Sequence, residues 1–340
     1  MSKRIEYTAR AEDEGMSLGK VLQERLSLTV RQIRKIKFTP EGLKLNGARE
    51  AGGRLVTTRT VIHENDVITA FFQDEGPSVE MGEIDEVSGL KPEILYEDED
   101  LVFLNKPSGL VCHPAHGHFT DTLVNYLAAR YHEPARLIGR LDKETSGVIV
   151  AAKNTVASTR LEAERKRGIL SRDYLALVHG KLEGSGLCDI PLKRVKSETL
   201  TGGHGKALSV MAPAASEDEE GALRALTEWK AVKYCEDRGS FGGSFSGSFG
   251  GTFGGVTGGV TLVQLHLLTG RTHQIRAHMA AMGHPLLGDG LYGVEDAAPR
   301  CMLHSVRVSL VHPFTGKELS IPAPLPEDFA AIIQAMKKES

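Results

Sequence analysis

The sequence predicts an α+β protein, and three observations carry that expectation. Short apolar runs bounded by glycine turns recur along the chain, several stretches show helical spacing, and 41% hydrophobic content over 340 residues supports an ordinary core in two or three domains. The clearest run is Val148-Ile149-Val150-Ala151-Ala152, which reads as a buried strand because it is short, β-branched in its first half and preceded by Gly147. A charged knot, Arg140-Leu141-Asp142-Lys143-Glu144, sits just before it. Asp142 therefore belongs to a loop at the mouth of a core strand, a common place for a functional carboxylate.

Residues 1–15 are polar and are expected to form a disordered tail. Leu18, Val21, Leu22 and Leu26 then mark a helical stripe. A second short helix over 29–37 places Ile33 and Ile36 inside and Arg31, Arg34 and Lys35 outside. Leu43 to Gly47 reads as a strand ending in an Asn-Gly turn, and Val67 to Phe72 as a closing strand. Between Met16 and Thr60 ten Lys and Arg face three acids, an excess of +7 in a chain whose net charge is −3. A local basic face of this kind is a nucleic-acid footprint. From Asp74 to Asp100 eleven acids oppose Lys91 alone, and 73–92, with Gly76, Pro77 and Gly89, reads as an acidic linker.

Beyond it, Leu101 to Leu104 is a short strand, Pro107 to Thr120 a loop and Asp121 to Leu127 a helix. Thr155 to Gly168 reads as a charged amphipathic helix, Tyr174 to Val178 as a strand, and 225–232 and 261–268 as two more. Between those last two lies a Gly-rich tract, 239–259, with Phe241, Phe245, Phe249 and Phe253 spaced by four and no arginine inside. Its glycine density argues against a helix or a firm strand, so it reads as a flexible insertion at a hairpin tip. Thr272 to Met282 has Ile275, Met279 and Met282 on one face, a helix closed by Gly283, and Glu327 to Lys337 reads as a terminal helix.

Four stretches stand in order around Asp142: Asn105-Lys106-Pro107-Ser108-Gly109, GRLDKETSG (139–147), Tyr174-Leu175-Ala176-Leu177-Val178-His179-Gly180 and TGRTHQIR (269–276). Together they resemble the RluA-type pseudouridine synthases of ribosomal RNA, from about Pro92 to Pro324. The resemblance implies a mixed, largely antiparallel sheet split by a cleft, in a catalytic domain over 93–325, with 326–340 a C-terminal helix or tail. The basic segment 16–72, with its two small helices and the strand-turn around Leu45-Asn46-Gly47, resembles the small α/β S4-like RNA-binding module that commonly precedes this domain. Arg31, Arg34, Lys35 and Lys37 would be its RNA contacts.

Converting uridine to pseudouridine breaks the N1–C1′ bond, turns the uracil and rejoins it through C5. Nothing is oxidised and no group leaves, so no cofactor is expected. By resemblance Asp142 is the required carboxylate, acting at C1′ or taking a proton from C2′. Arg276 matches the arginine that pairs with that aspartate, where an opposite charge favours the anion. Tyr174 matches the tyrosine laid against the uracil ring. Arg140 is similar to the arginine that fills the gap of a flipped nucleotide, and Lys106, Arg271, His273 and Gln274 fall in motifs assigned to substrate binding. Gly139 stands where the family usually has His, and His116 where its 113–118 loop usually has Pro.

Two rival readings exist: a base-excising hydrolase using Asp142 and Glu144, and an RNA-binding protein that keeps the fold without the activity. Asp142 and Glu144 lie two apart in one loop, unlike the facing acids of glycosidases, and the presence of Asp142, Tyr174 and Arg276 together argues against the second. His113, His116 and His118 could suggest a metal cluster, but no Cys or carboxylate completes it, and the four cysteines show no C-x-x-C spacing. No run approaches the roughly 18 apolar residues of a membrane span, and the start lacks a signal-peptide core. The expected partner is structured RNA, ribosomal with tRNA as the alternative, met by a cytoplasmic monomer.

Overall fold

The computed structural model describes residues 2–39, 41–51, 54–73, 90–115, 118–132, 135–201, 207–236, 259–293, 296 and 298–338. The expected acidic linker and Gly/Phe tract lie largely outside these residues.

The N-terminal unit contains β1 (Lys3–Thr8), α1 (Leu18–Glu24), α2 (Val30–Phe38), β2 (Leu43–Leu45), the short pair β3 (Glu50–Ala51) and β4 (Arg54–Leu55), and β5 (Val67–Phe72). Both helices start where hydroxyl side chains accept an otherwise unpaired backbone N–H: Ser17 from Lys20, and Thr29 from Gln32, whose amide oxygen returns the bond to Thr29 N. Leu18, Val21, Leu22, Ile33 and Ile36 are buried together, as the stripes require. Leu45 and Ala48 exchange backbone hydrogen bonds across the Asn46-Gly47 turn. The disordered tail expected over 1–15 is corrected here, because Lys3–Thr8 pairs antiparallel along all of β5, with Ile5 opposite Ala70 and buried.

The second unit comprises β6 (Glu93–Glu97), β7 (Leu101–Lys106), α3 (Leu123–Tyr131), β8 (Arg136–Leu137), β9 (Ser146–Ala152), α4 (Thr155–Lys166), β10 (Ser171–His179), β11 (Ser185–Cys188), β12 (Leu192–Thr201), β13 (Ala207–Pro213), β14 (Ala222–Leu223), β15 (Thr227–Cys235), β16 (Val260–Leu267), α5 (Gln274–Ala281), β17 (Leu303–Val311), β18 (Glu318–Pro322) and α6 (Glu327–Lys338). Its main sheet runs β11-β15-β16-β10-β17-β9-β7-β6, with β18 added to β17 and β8 to β9. Every pairing is antiparallel except β9 with β17, whose parallel register spans only Ser146–His304 and Gly147–Ser305. The α+β expectation of a mixed, largely antiparallel sheet is met, and the short β9–β17 contact is where its two halves part.

Period-two alternation explains why β9 is buried throughout and β7 at every position but Asn105. Val102, Leu104, Ile149 and Ala151 enter a core on one face, and Leu101, Phe103, Val148, Val150 and Ala152 one on the other. Truncating Phe103 to Ala would cost about 3–5 kcal/mol. The C-terminal helix is part of the core rather than a tail, since Phe329, Ile332 and Met336 pack with Leu177 and Met302. Cys235 at the end of β15 pairs with Val260 at the start of β16, so the tract between them leaves and re-enters the sheet at adjacent points.

The N-terminal unit is packed on the second one. Val156 of α4 lies in the N-terminal core cluster. Gln32 donates to Thr159 Oγ1 (3.0 Å), and Lys3 pairs with Asp100 at 2.7 Å. The Arg160 guanidinium donates to the carbonyls of Leu26 (2.6 Å) and Pro313 (2.8 Å) and lies 4.7 Å from the Phe314 ring centroid.

Candidate active site

The loop from 139 to 145 enters β9 under tight backbone control. Gly147 has φ +110° and lies against Ser305, where a Cβ would come within 2.7 Å of the backbone nitrogen. Lys106 is fully buried, and its ammonium donates to the carbonyls of Pro107 (2.8 Å), Leu110 (2.9 Å) and Lys143 (3.0 Å). Gly109 N–H adds a second bond to Lys143 O (2.9 Å), and Ser108 Oγ and Arg300 Nη1 donate to Glu144 O at 2.8 and 3.3 Å. Arg300 is itself gripped by Asp328 of α6. Carbonyls on the Asp142 side of the strand are thus held by two buried cations.

Asp142 projects from this loop into a cavity of about 230 Å³, its side chain 26% exposed. Tyr174, from β10, is buried beside it, and burial raises its phenol above the ordinary range. Arg276 and His273 approach from α5 and its N-cap: Arg276 Nη1 is 3.9 Å from Asp142 Oδ2, and His273 Nε2 is 3.8 Å from Oδ1. His273 has left-handed backbone angles, φ 52° and ψ 22°. Burial lowers its pKa against the opposing pull of Asp142, which favours the neutral imidazole.

The expected Arg276–Asp142 pair is present, as the longer of two contacts that the guanidinium makes. The guanidinium is committed to Asp289, donating through Nε (2.7 Å) and Nη2 (2.6 Å), and only Nη1 turns toward Asp142. Burial opposes the charge on Arg276, but the hydrogen bonds and charge of Asp289 outweigh it and hold the group above its ordinary range.

Arg140, Arg271 and His273 line the cavity as expected, Arg140 placed with its Nη2 3.4 Å from Thr272 Oγ1. Two substrate-binding assignments change. Lys106 does not reach the cavity, being wholly spent on carbonyls. Gln274 lines it, but its amide donates to Leu226 O and Thr227 Oγ1 and accepts from Thr269 and Arg271 N, so it braces the loop before α5. Arg31, Arg34, Lys35 and Lys37 lie exposed on α2. In the histidine loop, His116 falls outside the described residues, and His118 Nδ1 lies 2.5 Å from Asp121. The one group of three potential ligands among the described residues, Asp98, Asp100 and His312, has Lys3 on Asp100.

Arg165 and Arg172 also line the cavity and were missed. Arg172 could have been found, since strand period places a residue two before Tyr174 on the same side. Its guanidinium donates to Ile138 O and lies where a Cβ on Gly139 would come within 2.7 Å of Nη1. A side chain at 139 would therefore have to displace this guanidinium. Five arginines and one acid, Asp142, line the cavity, making it locally cationic in a chain of net charge −3.

Such a cavity, with one carboxylate, an arginine rim and an aromatic wall, defines an enzyme site for an anionic, ring-bearing substrate. Residues 100–281 match the family described as RNA pseudouridylate synthase. The chain is 30% identical over 319 residues to "Ribosomal large subunit pseudouridine synthase D" of Vibrio parahaemolyticus, covering 87% of this chain and 85% of that one. It is also 30% identical to "Uncharacterized RNA pseudouridine synthase YjbO" of Bacillus subtilis, covering 91% and 95%. The solved structure "Human RNA Pseudouridylate Synthase Domain Containing 1" superimposes with a TM-score of 0.51 at 24% identity, covering 73% of this chain and 95% of that one, a likeness of fold. The chain belongs to the RNA pseudouridylate synthase family and is an RluA-type enzyme of it, an isomerase. Among the described residues, no helix is long and apolar enough to cross a membrane.

Proposed function

We propose that this enzyme isomerises uridines of large-subunit ribosomal RNA, with Asp142 as the carboxylate that acts on the ribose. The observation that carries the RNA class is the full-length relationship to "Ribosomal large subunit pseudouridine synthase D" of Vibrio cholerae, 29% identical over 100% of this chain and 98% of that one. The similarity thus includes the basic N-terminal unit, which we take as an S4-like module that binds RNA through Arg31, Arg34, Lys35 and Lys37. Ribosomal RNA as substrate fits work in the cytoplasm. One chain supplies Asp142, Tyr174 and Arg276, consistent with a monomer.

Two routes suit the geometry. In one, Asp142 attacks C1′ as the N1–C1′ bond breaks, giving a glycosyl ester and a uracil anion. The turned uracil then attacks through C5, expelling the carboxylate. In the other, Asp142 removes the C2′ proton as the base departs and returns it after C5 bonds to C1′. Either way C5 loses its proton and N1 gains one, so the balance closes without a cofactor. Tyr174 supports the ring, Arg276 stabilises the carboxylate side, and Arg140 and Arg271 meet phosphates or the gap left by the extruded base. Mapping pseudouridines by chemical adduct and primer extension in a strain lacking the protein, and in the complemented strain, tests the target. The expected result is loss and recovery of large-subunit signals. Signals lost from tRNA alone would overturn the ribosomal assignment.

A further inference from the structure

We propose that Asp289 and Tyr292 are positioning residues for the isomerisation: the turn they share aims one nitrogen donor at each oxygen of Asp142. The inference rests on the reading of Asp142 as the acting carboxylate.

The turn after α5 is built around the Asp289 carboxylate, whose side chain is fully enclosed. Its Oδ1 accepts the backbone N–H groups of Leu291 and Tyr292 at 3.1 Å, and Gly293 N–H returns to its carbonyl at 2.8 Å. The same carboxylate takes Nε and Nη2 of Arg276 in a two-point grip. A bidentate arginine–carboxylate pair fixes the guanidinium plane as well as its position. With two of its three nitrogens held, the remaining one, Nη1, is directed to Asp142 Oδ2.

Tyr292 performs the matching task for His273. Its hydroxyl accepts the Met211 N–H at 2.8 Å and lies 3.1 Å from His273 Nδ1. A phenol has one proton, and since the Met211 bond uses it as acceptor, that proton is free to go to Nδ1. A neutral imidazole accepting at Nδ1 carries its proton on Nε2, the nitrogen 3.8 Å from Asp142 Oδ1. The Tyr292 ring also contacts both partners, with its centroid 5.6 Å from the His273 ring, edge-on, and 5.1 Å from the Arg276 guanidinium. One turn therefore sets the aim of two donors, one toward each oxygen of Asp142. Neither Asp289 nor Tyr292 meets the substrate in this account.

The test measures single-turnover tritium release from in vitro transcribed large-subunit ribosomal RNA labelled at uridine C5, with full-length protein, alongside RNA Kd and thermal unfolding. Asp289→Asn is expected to lower the rate about tenfold or more with Kd within about twofold of wild type. The Asp289→Asn/Arg276→Gln double variant should be no slower than Arg276→Gln alone, because Asp289 acts through that arginine. A folded Asp289→Asn that turns over at the wild-type rate, or rate losses that multiply in the double variant, would overturn the proposal. Should Asp289→Asn not fold, Tyr292→Phe decides, since it removes one oxygen. It should slow release about fivefold at unchanged Kd, and an unchanged rate refutes the inference. Asp142→Asn is the control. Turnover by that variant removes the reading of the site itself, whereas an inert Asp142→Asn beside unimpaired Asp289 and Tyr292 variants removes the present inference alone.

Discussion

Replacing Lys106 by Met tests how the Asp142 loop is held. Methionine fills similar space but leaves the carbonyls of Pro107, Leu110 and Lys143 without their shared ammonium donor. Charged hydrogen bonds contribute about 1.5–3 kcal/mol each. Against that stands the burden of burying the charge, which pushes the ammonium from 10.5 down to about 8, equivalent to about 3 kcal/mol. Three buried carbonyls left without a donor outweigh the relief of that burden, and we expect a net destabilisation of about 3 kcal/mol at pH 7. The pH dependence has a definite sign. Between the folded and unfolded pKa values the unfolded chain binds more protons, so Lys106 makes the folded state more stable as pH rises through 8 toward 10.5. Methionine does not titrate. The stability gap between wild type and Lys106→Met should therefore widen by about 2 kcal/mol from pH 7 to pH 9.5. Urea unfolding of both proteins at the two pH values reads the gap directly. A gap that stays constant or narrows, or a variant as stable as wild type at pH 7, would refute the reasoning.

Gly147→Ala forces a Cβ onto the Ser305 backbone at φ +110°, and should destabilise by about 3 kcal/mol or more, read as a lowered Tm with lost activity. Reversing Arg31, Arg34, Lys35 and Lys37 to Glu should flatten the log–log salt dependence of RNA binding by roughly 0.7–0.9 for each phosphate no longer neutralised, with single-turnover rate at saturating RNA retained. An unchanged slope in that titration would mean that RNA is held mainly by other residues. Replacing the Gly/Phe tract by a short turn should leave folding and most activity intact, because Cys235 and Val260 already lie paired and closure entropy changes by only about 0.6 kcal/mol per doubling of length. Loss of most activity from the folded, shortened protein would mean that the tract meets substrate.

What the sequence makes legible is what is local. The run from Val148 to Ala152 is buried on both faces, and its short, uncharged, β-branched composition already implies that burial. The α2 stripe is equally readable. Lys3–Thr8 is hidden in the sequence because a half-charged strand is defined by its partner, β5, some sixty residues away. A buried lysine looks like any other in sequence, so the motif around Lys106 points to substrate while its ammonium is enclosed by carbonyls. Asp289 lies only thirteen residues after Arg276, but its bond to that arginine depends on how the turn after α5 folds back. Arg165 and Arg172 come from different elements and meet only at the cavity.

The proposed action of the Asp142 carboxylate on the ribose depends on its charge. The most direct measurement is single-turnover release of C5 tritium by pure Asp142→Asn, with RNA binding followed in parallel. Asparagine preserves the shape and removes the charge. No release above background is expected, with RNA bound within about twofold of the wild-type Kd, since the arginines of the cavity remain. Measurable pseudouridine formation by that variant would contradict it.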